Sequence, residues 1–449
     1  MSLFKLGTVH VPHRKNTKDL PAVRVNAPST VMIPMAQHIG APANPVVKVG
    51  DKVFVGTLIG EAAGFVSAPV HSSVSGTVKK IDGYLGSNGR TSPAIIIESD
   101  GEMTPDENLK PPVVTNFEEL AGAVRASGLI GLGGAGFPTS VKFDASKLDK
   151  IDTLLLNGAE CEPYITSDTR TMLDDAEYIK KGVETILNIS GIGNAVIGIE
   201  KNKPECIAKL KEVFKDDDRV SVCTLPSTYP QGGEKVLIYN TLGRVVPEGA
   251  LPADVGVIVL NVTTTAFIAK YLETGMPLVE KCITVDGSAI KEPKNVIVPI
   301  GMLVSDVIEA VGGFSEEPGK IMYGGPMMGV AIYTTESPVM KNCNAIVALN
   351  QKDSAPKKST ACIHCGNCVS ACPFGLNPTL YAKALAVSDK EDRATRLEEA
   401  KINLCMECGC CSFVCPAKRP LVENNRLAKS ELRAYKMAQA AKEKGEDKK

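Results

Sequence analysis

The chain has 449 residues, with 50 Lys and Arg against 51 Asp and Glu, for a formal net charge of -1. That balance excludes a strongly basic nucleic-acid binder. A hydrophobic content of 44% with 22% charged residues fits a soluble globular protein, and the length fits about three domains. No run reaches the ~18 apolar residues of a membrane span; the longest, residues 255–269, is broken by Asn and Thr. The start, MSLFKLGTVHVPHRK, has no apolar signal core, so a soluble, cytoplasmic chain is expected.

Residues 1–110 read as short β segments between turns. VVKVGDKVFVGTLIG is strand, Gly-Asp turn and strand, and VSAPVHSSVSGTVKKI repeats the rhythm with a Ser-Gly turn. The pattern resembles the biotinyl/lipoyl-like barrel-sandwich fold, whose carrier members have a lysine at the hairpin tip. Here the tip reads EAAGFVSAP, with Gly64 about where that lysine belongs, so a docking or structural module is expected. Residues 111–275 alternate helical and strand patterns: NFEELAGAVRASGLI, IDTLLLNGAE, DDAEYIKKGVETILNIS, NAVIGIE and KPECIAKLKEVF. Such alternation predicts an α/β layer structure. Residues 276–350 read as a small α+β module with one helix at SDVIEAVGGF, and SAPKKST reads as a linker. Residues 351–449 hold a cysteine cluster and a charged helical tail, expected to be solvated and frayed at its end.

Of 14 cysteines, nine fall between positions 362 and 415, which without a secretory signal argues for metal ligation over disulfides. Cys362, Cys365, Cys368 and Cys372 are spaced C-x2-C-x2-C-x3-C and followed by Pro373. Cys405, Cys408, Cys411 and Cys415 repeat the spacing before Pro416. This is the bacterial run for a [4Fe–4S] cluster, in which the fourth Cys serves the other cluster of a two-cluster protein. Crossed ligation therefore groups Cys415 with Cys362, Cys365 and Cys368, and Cys372 with Cys405, Cys408 and Cys411. Cys410 is expected to be a thiol outside both sets. A zinc site would favour C-x2-C pairs over triplets. The intervening TLYAKALAVSDKEDRATRLEEAKIN reads as helical, which predicts a helical two-cluster domain.

GLGGAGFPTSVKF places Gly131, Gly133, Gly134 and Gly136 in one loop, formally G-x-G-x-x-G. A dinucleotide fingerprint needs a strand immediately before it; here a helical pattern precedes and Pro138 follows. What remains is backbone free of side chains, able to approach a phosphate or a flavin closely. After the strand at 151–156, NGAECEP offers Asn157, Glu160 and Glu162 where open α/β sheets bind ligands. Carboxylates there suit ribose hydroxyls or a nicotinamide amide. YPQGGEK is a further Gly-rich turn with an acid.

GLGGAGFPTSVKF, NGAECEP, YPQGGEK and NVTT resemble, in this order, the flavin- and NADH-binding segments of the NADH-oxidising flavoprotein of respiratory complex I. With GTVHVPHRK, PMAQHIGAP, YGGPMMG and the two cysteine runs, the whole chain resembles the RnfC family of Rnf electron-transport complexes. The resemblance implies a Rossmann-like FMN/NADH domain at 111–275 and a β-grasp domain of the soluble-ligand-binding type at 276–350. It implies FMN and two [4Fe–4S] clusters as cofactors, NADH/NAD as substrate, and other Rnf-complex subunits as partners. It further implies a peripheral place on the cytoplasmic side of a cell membrane, and electron exchange between NADH and ferredoxin coupled to ion translocation. By position, Gly131, Gly133, Gly134, Lys142 and Asn157 match flavin-binding positions. Phe137, Glu162, Tyr229, Glu234 and Thr264 match positions near NADH or between it and the flavin, with Glu162 assigned to catalysis, and Gly136, Glu160 and Asn261 complete the expected cofactor-binding set. Ala159 and Gly233 replace acids of the complex I pattern. The cobalamin reductase of bacterial microcompartments shares the flavin loop and two ferredoxin motifs and is the second reading; a cluster-bearing relay without nucleotide turnover is the third.

Overall fold

A computed structural model describes residues 6–87 and 89–446. The expectations for the first five residues and for the last three of the tail lie outside the described residues. Two compact units partition the chain: one takes the amino-terminal segment to Pro12, Ser227–Val236 and the chain from Pro356 onward, the other His13–Pro226 and Leu237–Ala355.

Three layers make up the larger unit. The first is a β sandwich. Thr30–Pro34, Thr91–Ser99, Gly76–Leu85 and Lys52–Val53 form an antiparallel sheet in that order, and Asn44–Pro45, Leu58–Glu61 and Val70–His71 form a second. Alternate residues of these strands, Val31, Ile33, Ile95 and Ile97 among them, point into one apolar core, as period-two patterning requires. At the expected carrier tip, the Arg125 guanidinium donates to the carbonyls of Gly64 (2.6 Å) and Phe65 (3.1 Å).

The second layer is a parallel sheet in the order Val220–Leu225, Asn194–Glu200, Thr153–Gly158, Val257–Asn261. In chain order this is 3-2-1-4, one half of a Rossmann arrangement. Its strands carry apolar side chains on both sides because helices cover both faces. Phe117–Ala126, Ala176–Ser190, Pro204–Val213 and Val262–Thr274 pack on one face; Leu237 and Ile238 of Glu234–Leu242 pack on the other. The long apolar run at 255–269 is thus split into a strand and a helix.

The third layer is a mixed six-stranded sheet holding Glu280–Asp286, Lys294–Pro299, Pro318–Tyr323, Val330–Ala331 and Ala345–Asn350, with Val304–Ala310 packed against it. Its edge strand is Val23–Arg24, parallel to Lys294–Pro299. A two-residue strand from the amino-terminal 110 residues thus joins the third layer.

In the smaller unit, Pro378–Leu385, Lys390–Glu399 and the long helix Leu421–Glu446 enclose Tyr381, Leu397, Ile402, Ala428 and Leu432. Asn377 and Asp389 cap the first two through Thr379 N and Asp392 N, the local chemistry that starts a helix. Val9 and Tyr229 join as an isolated bridge in this unit, which places YPQGGEK with the cysteine runs.

Candidate functional site

Strands 1 and 4 lie side by side in the parallel sheet, and it is beyond the carboxyl ends of such strands that open α/β sheets hold ligands in a crevice. Asn157 and Asn261 are the paired residues at those ends. The Asn261 side chain caps Val262–Thr274, accepting from Thr263 N (2.9 Å) and Thr264 N (3.2 Å), and donates to Asp168 (2.7 Å). The glycine loop sits over this point. Leu132 N donates to Thr264 Oγ1 (3.0 Å), and a Cβ added at Gly133 would lie 3.1 Å from Asn261 Nδ2. Gly134 and Gly136 have φ of +110° and +66°, conformations that favour glycine. Gly131 N bonds Phe137 O (2.8 Å), closing the loop. Lys142 leaves it to donate to Val259 O of strand 4 (2.8 Å). The helix Phe117–Ala126 precedes the loop and a 3-10 turn, Thr139–Lys142, follows. The structure thus brings the glycine loop together with Asn261 and Thr264, with Asn157 paired to Asn261 on the neighbouring strand and Lys142 held on strand 4.

Buried lysines that no sequence pattern singles out hold this loop from beneath. Lys281 donates to Leu132 O (2.9 Å) and Lys341 O (3.1 Å). Lys341, 1% exposed, donates to Pro69 O and Gly128 O, both at 2.7 Å, tying all three layers together. Burial pulls Lys281 down to about 8 and Lys341 down to about 7, because an ammonium loses its hydration there. His71, beside Lys341, is pushed down to about 3 by burial and by that charge. Nothing in the local pattern KCITVDG or MKNCN distinguishes these lysines from solvated ones.

The two acids of NGAECEP diverge. Glu160 is 6% exposed, and its carboxylate accepts from Asp168 N and Thr169 Oγ1, both at 2.7 Å, at the start of Ser167–Asp174. Its two oxygens are thus taken by a backbone amide and a hydroxyl of the first turn of that helix, where a negative charge is favoured. Burial raises its carboxyl above the usual range. Behind it, the Lys15 ammonium donates to the carbonyls of Glu160 (2.8 Å), Glu162 (2.8 Å) and Ile165 (2.5 Å), fastening the loop. Glu162 turns the other way and accepts from Met327 N (3.1 Å) and Met328 N (2.7 Å) of YGGPMMG. A Cβ at Gly325 would collide with Glu162. Both oxygens of Glu162 accept from that loop.

In the smaller unit the cysteines form two rings. Cys362, Cys365, Cys368 and Cys415 line a cavity of about 140 Å³ with Ile363, His364 and Arg419. Cys372, Cys405, Cys408 and Cys411 line a second with Tyr381, Met406 and Asn425, and Cys410 lies at its wall. Each ring takes three thiols from one run and the last from the other, the grouping that crossed ligation expects. Four thiols in each ring are the ligand set of a [4Fe–4S] cube, in which each thiolate bonds its own iron. Asn425 Nδ2 points at the sulfurs of Cys405 (3.4 Å) and Cys411 (3.9 Å), and hydrogen bonds to sulfur tune a cluster. Tyr229, expected near NADH, is instead 1% exposed, with its hydroxyl donating to Cys408 O (2.7 Å). Glu234, half-buried, opens the helix Glu234–Leu242.

Four family models match in succession. They are an RnfC barrel sandwich hybrid domain at residues 3–102, a Nuo51 FMN-binding domain at 124–270, an SLBB domain at 282–331 and a 4Fe-4S dicluster domain at 358–419. The C subunit of the Na(+)-translocating ferredoxin:NAD(+) oxidoreductase complex of Acetobacterium woodii is 43% identical over 96% of this chain and 97% of its own. The chain belongs to the RnfC family. The C subunit of the proton-translocating complex of Clostridium ljungdahlii is also 43% identical, over 98% of this chain and 96% of its own. Its counterpart in the ion-translocating oxidoreductase complex of Rhodobacter capsulatus is 37% identical over 86% and 76%. Among solved structures, a chain of the NAD+-reducing [NiFe]-hydrogenase shares the fold at a TM-score of 0.50 and 18% identity. That alignment covers 71% of this chain and 63% of the hydrogenase chain. The cofactors that go with these domains, FMN and [4Fe–4S] clusters, fit what the family's glycine cradle and cysteine rings provide here.

Proposed function

We propose that the chain is the NADH-oxidising, NAD-reducing module of a membrane-associated ferredoxin:NAD oxidoreductase complex coupled to ion translocation. The observation that carries this is the glycine loop seated over Asn157 and Asn261 at the switch point, in one chain with two crossed cysteine rings. FMN, when bound, exchanges a hydride with NADH and single electrons with iron–sulfur clusters, a conversion that neither partner makes alone. The residues supply position. Gly134, with no Cβ and a left-handed backbone, lets the main chain come close to a flat ring or a phosphate, while Asn261 spends its amide on capping Val262–Thr274 and on Asp168, which fixes the strand end beneath the loop. Lys281 holds Leu132 in place beneath. The thiolates of each ring hold one cluster.

Equal identity to a Na(+)-translocating and a proton-translocating relative supports assigning the choice of ion to other subunits. Among the described residues no helix is long and apolar enough to cross a membrane, which supports attachment through partner subunits, on the cytoplasmic side where NADH is available. The deciding experiment is a visible spectrum of anaerobic protein before and after NADH. Loss of flavin and iron–sulfur absorbance, with reduction of an artificial acceptor, is expected. A spectrum that NADH leaves unchanged would leave only a relay without nucleotide turnover.

A further inference from the structure

In the long helix Leu421–Glu446, Leu421, Asn425, Ala428 and Leu432 share one buried stripe, each at most 2% exposed. The leucines and the alanine pack among apolar neighbours, as a helical period requires. Asn425 breaks the stripe where it meets the ring of Cys372, Cys405, Cys408 and Cys411. Its Nδ2 is aimed at Cys405 Sγ (3.4 Å) and Cys411 Sγ (3.9 Å), while its Oδ1 is buried with no hydrogen-bond partner among the described residues. An unsatisfied buried oxygen is costly, and turning the amide over would set that oxygen against sulfur. The other ring is served differently. His364 N donates to Cys362 Sγ (3.4 Å), and among the described residues no side chain donates to that ring's sulfurs. Solvent reaches it instead: Cys365 is exposed, whereas Cys408 and Cys411 are buried. Hydrogen bonds to sulfur and contact with water both favour the more negative, reduced form of a cluster, and burial disfavours it. By burial alone, the ring that Asn425 faces would hold the cluster that is harder to reduce.

We propose that Asn425 tunes this buried cluster, its amide raising the reduction potential and so offsetting the cost of burial. The inference rests on the proposed function, since it takes the ring to hold a cluster. On reduction the cluster gains one electron and its donor, the neighbouring cluster or an added reductant, loses one. No bond breaks, and Asn425 keeps both amide protons. A hydrogen bond to a charged group shifts an equilibrium by about tenfold or more, and tenfold is 59 mV for one electron. Asn425 acts through the sulfurs of Cys405 and Cys411, so it is a positioning residue whose effect is read in a potential.

The test is a redox titration of the full-length, anaerobically prepared protein with dithionite, read by electron paramagnetic resonance. The signal that Cys372→Ser alters marks the buried cluster. Asn425→Leu completes the apolar stripe, so it should fold with an unchanged or higher Tm and keep its iron. It should also make the buried cluster about tenfold harder to reduce, a fall of about 59 mV for one electron, and leave the other cluster unmoved. Gln439→Leu, farther along the same helix, should move neither. An unchanged potential in iron-replete Asn425→Leu overturns the proposal, as do equal shifts of both clusters or a comparable shift in Gln439→Leu. Should Asn425→Leu lose iron, unmodified protein carrying 15N-labelled asparagine decides: a weak 15N coupling to the reduced buried cluster is expected, and its absence overturns the proposal. Iron missing from the unmodified protein is a different failure, since it removes the cluster assignment itself.

Discussion

His364 and Glu407 hold the same place in the two cysteine runs, and both backbones are left-handed, at φ +54° and +58°. Two residues later, Gly366 and Gly409 repeat the agreement at +75° and +79°, each preceding a short helix, Asn367–Ser370 or Cys410–Val414. The sequence repeat is thus a conformational repeat, and each short helix carries its fourth cysteine away from its own three and toward the other ring. Their side chains differ: Glu407 pairs with Lys429 (2.8 Å) and Arg426 (3.5 Å), whereas His364 is exposed.

The first prediction follows from that exchange of ligands. Anaerobic protein should contain about eight irons and eight sulfides per chain. Cys372→Ser should alter the spectroscopic signature of the cluster held by Cys405, Cys408 and Cys411, sparing its partner. A change confined to the cluster of Cys362, Cys365 and Cys368 would show that the ligation is not crossed.

The glycine cradle gives the second. At φ +110° a side chain on Gly134 is strained by roughly 1–3 kcal/mol. Gly134→Ala should weaken FMN binding about tenfold in fluorescence titrations of deflavinated protein while leaving iron unchanged. Lys281→Met should do the same by releasing Leu132 O, and Lys281→Arg should recover part of the loss. Full FMN affinity in Lys281→Met would reduce that lysine to a packing role.

What could be read in advance was whatever the chain specifies locally. The cysteine spacing, the helix Phe117–Ala126 before the glycine loop and the strand expected at 151–156 and found at Thr153–Gly158 depend on neighbours in sequence, and each lies close to where the pattern puts it. The side-chain commitments of Glu160, Glu162 and Tyr229 depend on distant partners. Lys15 reaches carbonyls some 145 to 150 positions away, and Tyr229 meets Cys408 O 179 positions on. A period or a motif carries no trace of such pairings, so the contacts of Glu160 with Ser167–Asp174 and of Glu162 with Met327 and Met328 are visible only in the fold. The segment 227–236 shows the same limit: its Gly-rich text suggested a ligand turn, yet it folds against the cysteine runs.

Lys341 supplies a prediction in pH. Its folded-state value is drawn down to about 7 by burial, from an ordinary value of 10.5. Between those values the unfolded chain binds a proton that the native state does not, so stability rises with pH across that window. Below about 7 both states are protonated and the dependence vanishes. Thermal unfolding should therefore show the native protein gaining on Lys341→Met as pH rises from 7 toward 10. A constant difference would mean the ammonium keeps its proton, held by Pro69 O and Gly128 O.

Glu234 carries the last prediction, on nucleotide choice. It is half-buried and begins the helix Glu234–Leu242, directly after Gly232 and Gly233. A carboxylate can accept hydrogen bonds from ribose hydroxyls and repel a 2′-phosphate. Hydrogen bonds to a charged group contribute roughly 1.5–3 kcal/mol, so their loss should weaken NADH binding about 10- to 150-fold. Glu234→Ala should raise the apparent KM for NADH and narrow its advantage over NADPH, with FMN and iron retained. Glu234→Gln should separate the two contributions, keeping a hydrogen-bond acceptor for the ribose while removing the charge that excludes the phosphate. Unchanged KM values for both nucleotides in Glu234→Ala would confine Glu234 to starting its helix, and leave selection of NADH to residues at the crevice of Asn157 and Asn261.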